Sequence, residues 1–167
     1  FGKKFFQNIQ DNEELSLDYN WESLHIKTLK VLRTFAINNP EVEIIIKTKT
    51  GEKYKKNDFT NLPSNIRLFH AGAGHGFLKE SKIVIGWNST IILEAIAANR
   101  FILLPYFHRK NDFLRKSELN FDLKKENYGF SEDDFYRKLN NFVKKRYEKN
   151  INYNNQRSLG YYLGNLN

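Results

Sequence analysis

The chain has 167 residues, of which 40% are hydrophobic and 15% aromatic, and its formal net charge is +8. This size and composition fit one folded domain and exclude an intrinsically disordered chain. The absence of cysteine excludes disulfides, thiol catalysis and cysteine zinc sites, while the positive charge favours an anionic partner such as nucleic acid, a phosphorylated ligand or an anionic membrane surface.

The sequence contains no targeting or membrane-spanning pattern that we recognise. It has no apolar run of about 18 residues and no long apolar stretch after Lys3 and Lys4. We therefore expect neither a transmembrane helix nor a signal peptide, and the lack of cysteine fits a cytoplasmic protein. The first residue is Phe1 instead of Met, which is compatible with a piece of a longer protein. Residues 1–20 have no clear period and are predicted to be an irregular lead-in.

The first regular elements are a helix and a strand. From Trp21 to Asn38 the apolar residues recur at helical spacing, and Asn39-Pro40 ends the pattern. Residues 43–49, EIIIKTK, are predicted to form a buried strand. Its C-terminal end is polar and basic and includes Lys47. The polar and basic residues 51–64 are predicted to be a loop.

A second strand is predicted over residues 66–69, and a glycine-rich loop, HAGAGHG, follows it. The glycine spacing is not that of a dinucleotide fingerprint, because Phe77 stands where the third glycine belongs. We expect a loop whose backbone approaches a ligand. The candidate contacts are His70, Gly72, Gly74 and His75, with solvated loop histidines as the alternative reading. No carboxylate or thiol stands beside these histidines, so no metal site is predicted.

The chain is organised around residues 81–107, which read as a strand, a turn, a helix and a second strand. Residues 83–85 are a branched apolar run that suits a strand buried on both faces. Gly86 lets the chain bend, and residues 91–98 predict a buried helix that is apolar on nearly all sides. Residues 101–104 are the second buried strand, closed by Pro105. The turn then lies at the carboxyl end of a strand, where α/β proteins bind ligands.

This turn carries the chemistry that we predict for the domain. Asn88, Ser89 and Thr90 offer amide and hydroxyl groups at the positive end of a helix dipole, an arrangement that suits a phosphate or a carboxylate. The alternative is that Asn88 or Ser89 only caps the helix. Glu94 is the one charge in the helix, and a buried carboxylate needs a partner. That partner is either a Lys or Arg of the fold or the hydroxyls of a bound sugar or ribose.

The C-terminal part contains a long amphipathic helix, predicted over residues 131–149. A capping box from Ser131 to Asp134 explains the acidic pair at its start without a metal. A short helix is predicted over 113–118, and the aromatic tail 150–167 is expected to pack. Basic residues cluster on the long helix, and we interpret them as a solvated face: Lys138, Lys144, Lys145, Arg146 and Lys149.

These elements predict an α/β fold of Rossmann-like type, with three or four parallel strands between two layers of helices. No internal repeat or domain boundary interrupts residues 1–167, so we expect a single domain.

The sequence 81–95, SKIVIGWNSTIILEA, together with the strand that ends at Lys47 and the strand that runs into Pro105-Tyr106-Phe107, resembles a known family. It is similar to the C-terminal, donor-binding domain of GT-B glycosyltransferases. The nearest likeness is to bacterial enzymes of capsule and surface polysaccharide synthesis, including relatives of the CDP-glycerol glycerophosphotransferases. The resemblance covers residues 21–107 and the tail. Lys82 stands where the family commonly has an aspartate, and Thr48-Lys49 replaces a His-Pro pair.

The resemblance implies one half of a GT-B architecture that binds a nucleotide-activated sugar. In such a domain Asn88, Ser89 and Thr90 receive the donor phosphate, Glu94 lies near the ribose or sugar, and Lys47 neutralises the phosphate without a metal or other cofactor. The family also implies an N-terminal acceptor domain, which usually supplies the catalytic base, and a glycan or lipid-linked acceptor. The chain is too short to contain that second domain, so no catalytic base is assigned.

Two other classes of function remain open at this point. A basic nucleic-acid-binding module without enzymatic activity would explain the net charge and the mixture of basic and aromatic residues over 138–153. The α/β pattern, however, contains no nucleic-acid motif. A catalytically inactive interaction domain would bind no nucleotide. Basic patches could also hold an enzyme against anionic lipid at the inner face of the membrane.

Overall fold

The computed structural model describes residues 21–48, 59–70, 74–86, 89–107 and 123–145. In chain order its elements are α1 (Trp21–Asn38), β1 (Ile44–Lys47), β2 (Ile66–Phe69), α2 (His75–Leu78), β3 (Ile83–Ile85), α3 (Thr90–Ala97), β4 (Phe101–Pro105), a 3-10 turn (Lys125–Asn127), β5 (Tyr128–Gly129) and α4 (Glu132–Lys144). The protein is therefore an α/β protein.

The strands form two small parallel sheets. One contains β1 and β2, with Ile44 beside Ile66 and Lys47 beside Phe69. The other has the order β3-β4-β5, with Ile83 beside Phe101. Parallel neighbours require a crossover connection, and α3 lies in the crossover from β3 to β4. The predicted parallel pairing is thus present, although it is divided between two sheets.

Most predicted elements form close to their predicted bounds. The first helix and the strands β2 and β3 have the residues expected from the sequence, and β1 is shorter than predicted by three residues at its ends, Glu43, Thr48 and Lys49. The central helix begins at Thr90, and its exposed residues include Thr90 and Ala97. Ile92, Leu93, Ala95 and Ile96 are buried and Ile91 packs beside them, so the helix is largely buried as predicted, although Ala97 and Ala98 at its C-terminal end are exposed.

The burial of two strands also differs from prediction. The strand over residues 43–49 was expected to be buried, yet all of β1 is only half-buried. In β3, Val84 is buried whereas Ile83 and Ile85 are half-buried. Within the described residues, β1 pairs with β2 alone and β3 with β4 alone.

Two apolar cores lie against β3 and β4. The side chains of Val84, Ile102 and Leu104 pack with the buried side of α3. On the opposite face, Leu103 and Phe101 pack with α1 and α4, whose contributions include Val31, Leu32, Phe35, Phe135, Leu139 and Phe142. Successive residues of a strand point to opposite faces, so β4 serves both cores.

The capping box at the start of α4 is confirmed. Asp134 N–H donates to the Ser131 hydroxyl at 3.1 Å, and the Asp134 carboxylate accepts from the Phe130 N–H at 3.1 Å. The helix ends at Lys144, so it is shorter than predicted. The predicted lead-in 1–20, short helix 113–118 and tail 150–167 lie outside the described residues. Among the helices that are described, none has the length and apolarity needed to cross a membrane.

Candidate functional site

The carboxyl ends of β1 and β2 place two polar side chains in contact. Because Lys47 pairs with Phe69, the next residues of the two strands, Thr48 and His70, are also neighbours. The Thr48 N–H donates to the Phe69 carbonyl oxygen at 2.9 Å, and the Thr48 hydroxyl lies 3.0 Å from Nδ1 of His70. Thr48 is buried and His70 is exposed. His70 is therefore held at the edge of the sheet by a buried hydroxyl.

Lys47 lies at the same edge. Its side chain is half-buried, and Nζ donates to the Thr48 carbonyl oxygen at 2.5 Å. An ammonium group has three donors, so this bond leaves donors for a further acceptor. Lys47 is thus placed at the end of β1 as the sequence predicted, and it can present positive charge to an anion.

The turn between β3 and α3 leaves a hydroxyl uncommitted. Ser89 is the N-cap residue of α3 and has extended backbone angles, but its side chain makes no capping hydrogen bond. The helix starts with the backbone bond from Ile92 N–H to the Ser89 carbonyl oxygen at 3.0 Å. The alternative reading, in which Ser89 serves only as a cap, is therefore not what this turn shows.

Two glycines lie close to the first residues of α3. A Cβ on Gly86 would lie 2.9 Å from Cδ1 of Ile92, in the first turn of α3. A Cβ on Gly74 would lie 3.4 Å from Cδ1 of Ile91. Both Gly86 and Gly74 thus lie directly against the start of α3. A side chain at position 86 would therefore require the terminal methyl of Ile92 to shift.

Glu94 lies on the accessible side of α3. It is four residues after Thr90 and therefore shares a helix face with it, and it is half-buried whereas Thr90 is exposed. Among the described residues, none forms an ion pair with the Glu94 carboxylate or donates a hydrogen bond to it. Of the two partners that the sequence suggested, a Lys or Arg of the fold is not found in this part of the chain.

Some predicted site residues fall outside the described chain: Gly72, Asn88 and the side chain of His75. Of the others, Lys47 lines a cleft, together with Thr48 at the end of β1 and Gly86 at the end of β3. Ser89 and Thr90 follow Gly86 in the chain, and Gly74 adjoins the same helix. Ser89, Thr90, Glu94, Gly74 and His70 are not among the residues that line the cleft.

Two lysine side chains, those of Lys82 and Lys138, make contacts within the domain. Lys82, at the amino end of β3, donates to the Val143 carbonyl oxygen at 2.5 Å and so joins β3 to α4. Lys138, predicted to be solvated, is 15% exposed and lies 2.8 Å from the Asp134 carboxylate. It also donates to the Tyr128 carbonyl oxygen at 2.6 Å. Arg146 and Lys149 lie outside the described residues. Lys138, one of the lysines of the predicted basic face, therefore makes an ion pair and a hydrogen bond within the domain.

Sequence reasoning missed Thr48 as a residue of the site. Its role depends on the register of β1 and β2, which the sequence did not fix. A signal was nevertheless present, because Thr48 and His70 each follow a predicted strand directly, and the carboxyl ends of adjacent parallel strands lie together.

This arrangement can bind an anion at one point and hydroxyl groups at another. The ammonium of Lys47, the hydroxyl of Ser89 and the N-terminus of α3 favour a phosphate, whereas the carboxylate of Glu94 can accept hydrogen bonds from a sugar. Within the described residues, no cluster of three His, Asp or Glu side chains could hold a metal ion.

Comparisons with protein-family models, with curated proteins and with solved structures find no match for the chain.

Proposed function

We propose that the chain is the donor-binding domain of a GT-B glycosyltransferase, or of a polyol-phosphate transferase, that acts in bacterial surface polysaccharide synthesis. In this proposal the two parallel sheets belong to one three-layer, Rossmann-like domain, with α3 on one face and α1 and α4 on the other. The domain binds a nucleotide-activated donor at the carboxyl edge of its strands.

The observation that carries the proposal is the presence of two uncommitted polar groups on α3. The Ser89 hydroxyl stands at the helix N-terminus without capping it, and the Glu94 carboxylate has no charged partner among the described residues. A half-buried carboxylate without a partner gains most from a ligand that donates hydrogen bonds. A donor that has both a phosphate and a ribose or sugar satisfies both groups.

The proposed chemistry requires stabilisation of a departing nucleotide. The bond between the transferred group and the donor phosphate breaks, and the electron pair remains on the phosphate oxygen. The acceptor hydroxyl forms the new bond and gives its proton to a base of the acceptor-binding domain. Lys47, the Ser89 and Thr90 hydroxyls and the amides of α3 stabilise the charge that develops on the phosphate. His70 lies at the same edge and is a further candidate contact.

The proposal includes partners that follow from the family resemblance. These are an N-terminal acceptor domain, a glycan or lipid-linked acceptor and a cytoplasmic location at the inner face of the membrane. Exposed lysines such as Lys144 and Lys145 would contribute to contact with anionic lipid.

The test is a series of thermal shifts with CMP, CDP, UDP, GDP and ADP at fixed salt. A nucleotide at 100 times its Kd stabilises the folded state by about 2.7 kcal/mol. We expect one nucleotide to raise the Tm and the double variant Ser89→Ala/Thr90→Ala to weaken its binding by about tenfold or more, as expected for lost hydrogen bonds to a charged group. The matched control is Thr34→Ala/Ser64→Ala, which removes two exposed hydroxyls elsewhere.

Two results would contradict the proposal. If no nucleotide raises the Tm but an oligonucleotide does so in a strongly salt-dependent way, the chain is a nucleic-acid-binding module. If neither ligand has an effect, the chain is an interaction domain. If both double variants weaken nucleotide binding equally, the nucleotide does not bind at the N-terminus of α3.

A further inference from the structure

Three aromatic side chains lie together at the carboxyl ends of β4 and β5. Tyr106 directly follows β4, and Phe130 directly follows β5. The ring of Tyr106 makes edge contacts with the rings of Tyr128 and Phe130, at centroid distances of 5.3 and 5.7 Å. The rings of Tyr128 and Phe130 are stacked, with their centroids 6.2 Å apart. We call these three residues the aromatic cluster.

The aromatic cluster lies on the face of the sheet that α3 covers. Leu104 of β4 and Tyr128 of β5 are neighbours in the sheet, and both pack in the core that contains the buried side of α3. Tyr106 is two residues after Leu104 and therefore points to the same face, whereas Phe107 belongs to the core on the opposite face. The ring contacts place Phe130 beside Tyr106 and Tyr128 on the α3 face.

The N-terminus of α3 lies at the same edge of this sheet. Helix α3 connects β3 to β4, which are parallel, so it begins at the carboxyl end of β3 and runs back towards the amino end of β4. In the strand order β3-β4-β5, the ends of β3 and β5 are separated by two strand spacings, about 10 Å. A ligand of that length can therefore reach from Ser89 and Thr90 to the aromatic cluster.

Polar and aromatic groups are separated along this edge. Lys47 lines a cleft together with Gly86 at the end of β3, and the Ser89 hydroxyl makes no capping bond at the start of α3. The aromatic cluster lies on the other side of α3's first turn, at β4 and β5. A nucleotide is divided in the same way, because the ribose separates a charged phosphate from a planar base. The phosphate matches the side of Lys47 and Ser89, and the base matches the aromatic side.

Phe130 is the most exposed member of the aromatic cluster. It is 40% exposed, whereas Tyr106 is 7% exposed. The Phe130 N–H donates to the Asp134 carboxylate at 3.1 Å. Lys138, which forms an ion pair with Asp134, places Nζ 5.1 Å from the centre of the Phe130 ring. The ring is therefore held in position before a ligand binds, which lowers the entropy lost on binding.

We propose that the base of the donor nucleotide stacks on Phe130. This inference rests on the proposed function, because it assigns the base subsite of that same donor site. An aromatic side chain stacks on any base, since every base has a π-face. Phe130 thus distinguishes a nucleotide from a sugar phosphate without selecting one base.

Nucleotide titrations of Phe130 variants test the assignment. The ligand is the one among CMP, CDP, UDP, GDP and ADP that raises the Tm of the unmodified chain most. Phe130→Leu keeps an apolar side chain but removes the π-face, whereas Phe130→Tyr keeps the aromatic face. We expect Phe130→Leu to raise the Kd by about tenfold, as for the loss of one stacked base, and Phe130→Tyr to leave it nearly unchanged.

The matched control is Phe77→Leu, which should keep the Kd of the unmodified chain. Phe77 is a half-buried aromatic residue of α2, and its ring lies 4.8 Å from that of Phe69. It therefore reports what the same loss of an aromatic ring does on the β2 side of the domain.

The proton NMR signals of the bound base give a readout that a structural role of Phe130 would not change. A base that stacks on a benzene ring has its proton signals shifted upfield by the ring current. At saturating nucleotide we expect this shift with the unmodified chain, with Phe130→Tyr and with Phe77→Leu, and its loss with Phe130→Leu.

The outcomes separate this assignment from the proposed function. The same Kd and the same base shifts with Phe130→Leu as with the unmodified chain would overturn the assignment and leave the proposed function standing. A raised Kd with unchanged base shifts would show that Phe130 only supports the fold, which overturns the assignment as well. So would a loss of the shifts in Phe77→Leu instead of Phe130→Leu. If no nucleotide raises the Tm of the unmodified chain, both the assignment and the proposed function are wrong.

Discussion

The side-chain hydroxyl of Thr48 lies 3.0 Å from Nδ1 of His70 and links the carboxyl ends of β1 and β2. The same hydroxyl donates to the Phe69 carbonyl oxygen at 3.3 Å. A hydroxyl has one proton, so both contacts are hydrogen bonds only when Nδ1 of His70 is the donor to Thr48. Nε2 of the imidazole is then the nitrogen that can accept a hydrogen bond from a ligand.

We expect neutral His70 to be held as the Nδ1–H tautomer, with Thr48→Val removing this preference. Valine has the shape of threonine without the hydroxyl. The ring nitrogen chemical shifts of His70 report the tautomer. The exposed variant Thr34→Val is the control and should leave these shifts unchanged. Identical His70 shifts in Thr48→Val and in the unmodified chain would contradict this assignment.

The sequence predicted those features that depend on local pattern. Residues 83–85 are a short apolar run, residues 66–69 contain three apolar residues and Arg67, and both segments form strands with the predicted bounds. The half-burial of Ile45 could not be predicted in this way, because it depends on which strand lies beside β1. The strand β5, Tyr128–Gly129, has two residues and no period to detect.

The same distinction applies to the candidate site. The placement of Ser89 at the start of a helix follows from its residue type and from the apolar run after it. Whether its hydroxyl caps the helix depends on side-chain geometry, which the sequence left open. The contact between Thr48 and His70 depends on the register of two strands separated by a long loop. The residue pattern thus predicts which residues lie at the ends of strands and helices. Which of their side chains are in contact depends on how the strands pair.

Gly129 is expected to be intolerant of a side chain. A Cβ at this position would lie 2.6 Å from Cβ of Phe135 and 2.9 Å from its Cα. Phe135 is fully buried in the core and cannot move aside. We expect Gly129→Ala to lower the free energy of unfolding by about 1–3 kcal/mol, the usual cost of overpacking. Urea unfolding measures this change.

Gly76 provides the matched control for that substitution. It lies in α2, and a Cβ there would have no atom within 4 Å. Gly76→Ala should be neutral or slightly stabilising, since alanine restricts the unfolded chain and favours helix. Equal destabilisation by Gly76→Ala and Gly129→Ala would show that the contact with Phe135 is not the cause.

Asn65 fixes the connection between α1 and β1. Its Nδ2 group donates to the carbonyl oxygens of Ala36, Asn39 and Val42 at 3.1, 3.1 and 2.9 Å. Asn65→Asp would place carboxylate oxygens against these acceptors, so we expect a loss of about 1–3 kcal/mol or more in the free energy of unfolding. Asn140→Asp is the control, because the Asn140 amide makes a single 3.3 Å bond to Tyr136 within its own helix. A similar loss in both variants would count against the proposed role of Asn65.

Asp134 should make the stability of the protein depend on acidic pH. Burial alone would raise the pKa of its carboxyl, but hydrogen bonds from Lys138, from the Phe130 N–H and from Arg137 lower the pKa below its usual value. The distances to Lys138 and Arg137 are 2.8 and 2.6 Å. The group therefore binds a proton less readily in the folded state than in the unfolded state. Its contribution is fully present above the unfolded pKa of about 3.9 and is lost as the pH falls through the lower folded pKa.

Asp134→Asn removes the charge but keeps one acceptor oxygen. We expect the variant to be less stable than the unmodified chain by about 1 kcal/mol at neutral pH. The difference should shrink as the pH falls below about 4, because the carboxyl of the unmodified chain then also becomes neutral. Urea unfolding of both proteins between about pH 2.5 and pH 7 covers this range. A difference that stays constant across the range would mean that Asp134 stabilises α4 by shape and hydrogen bonding, without a contribution from its charge.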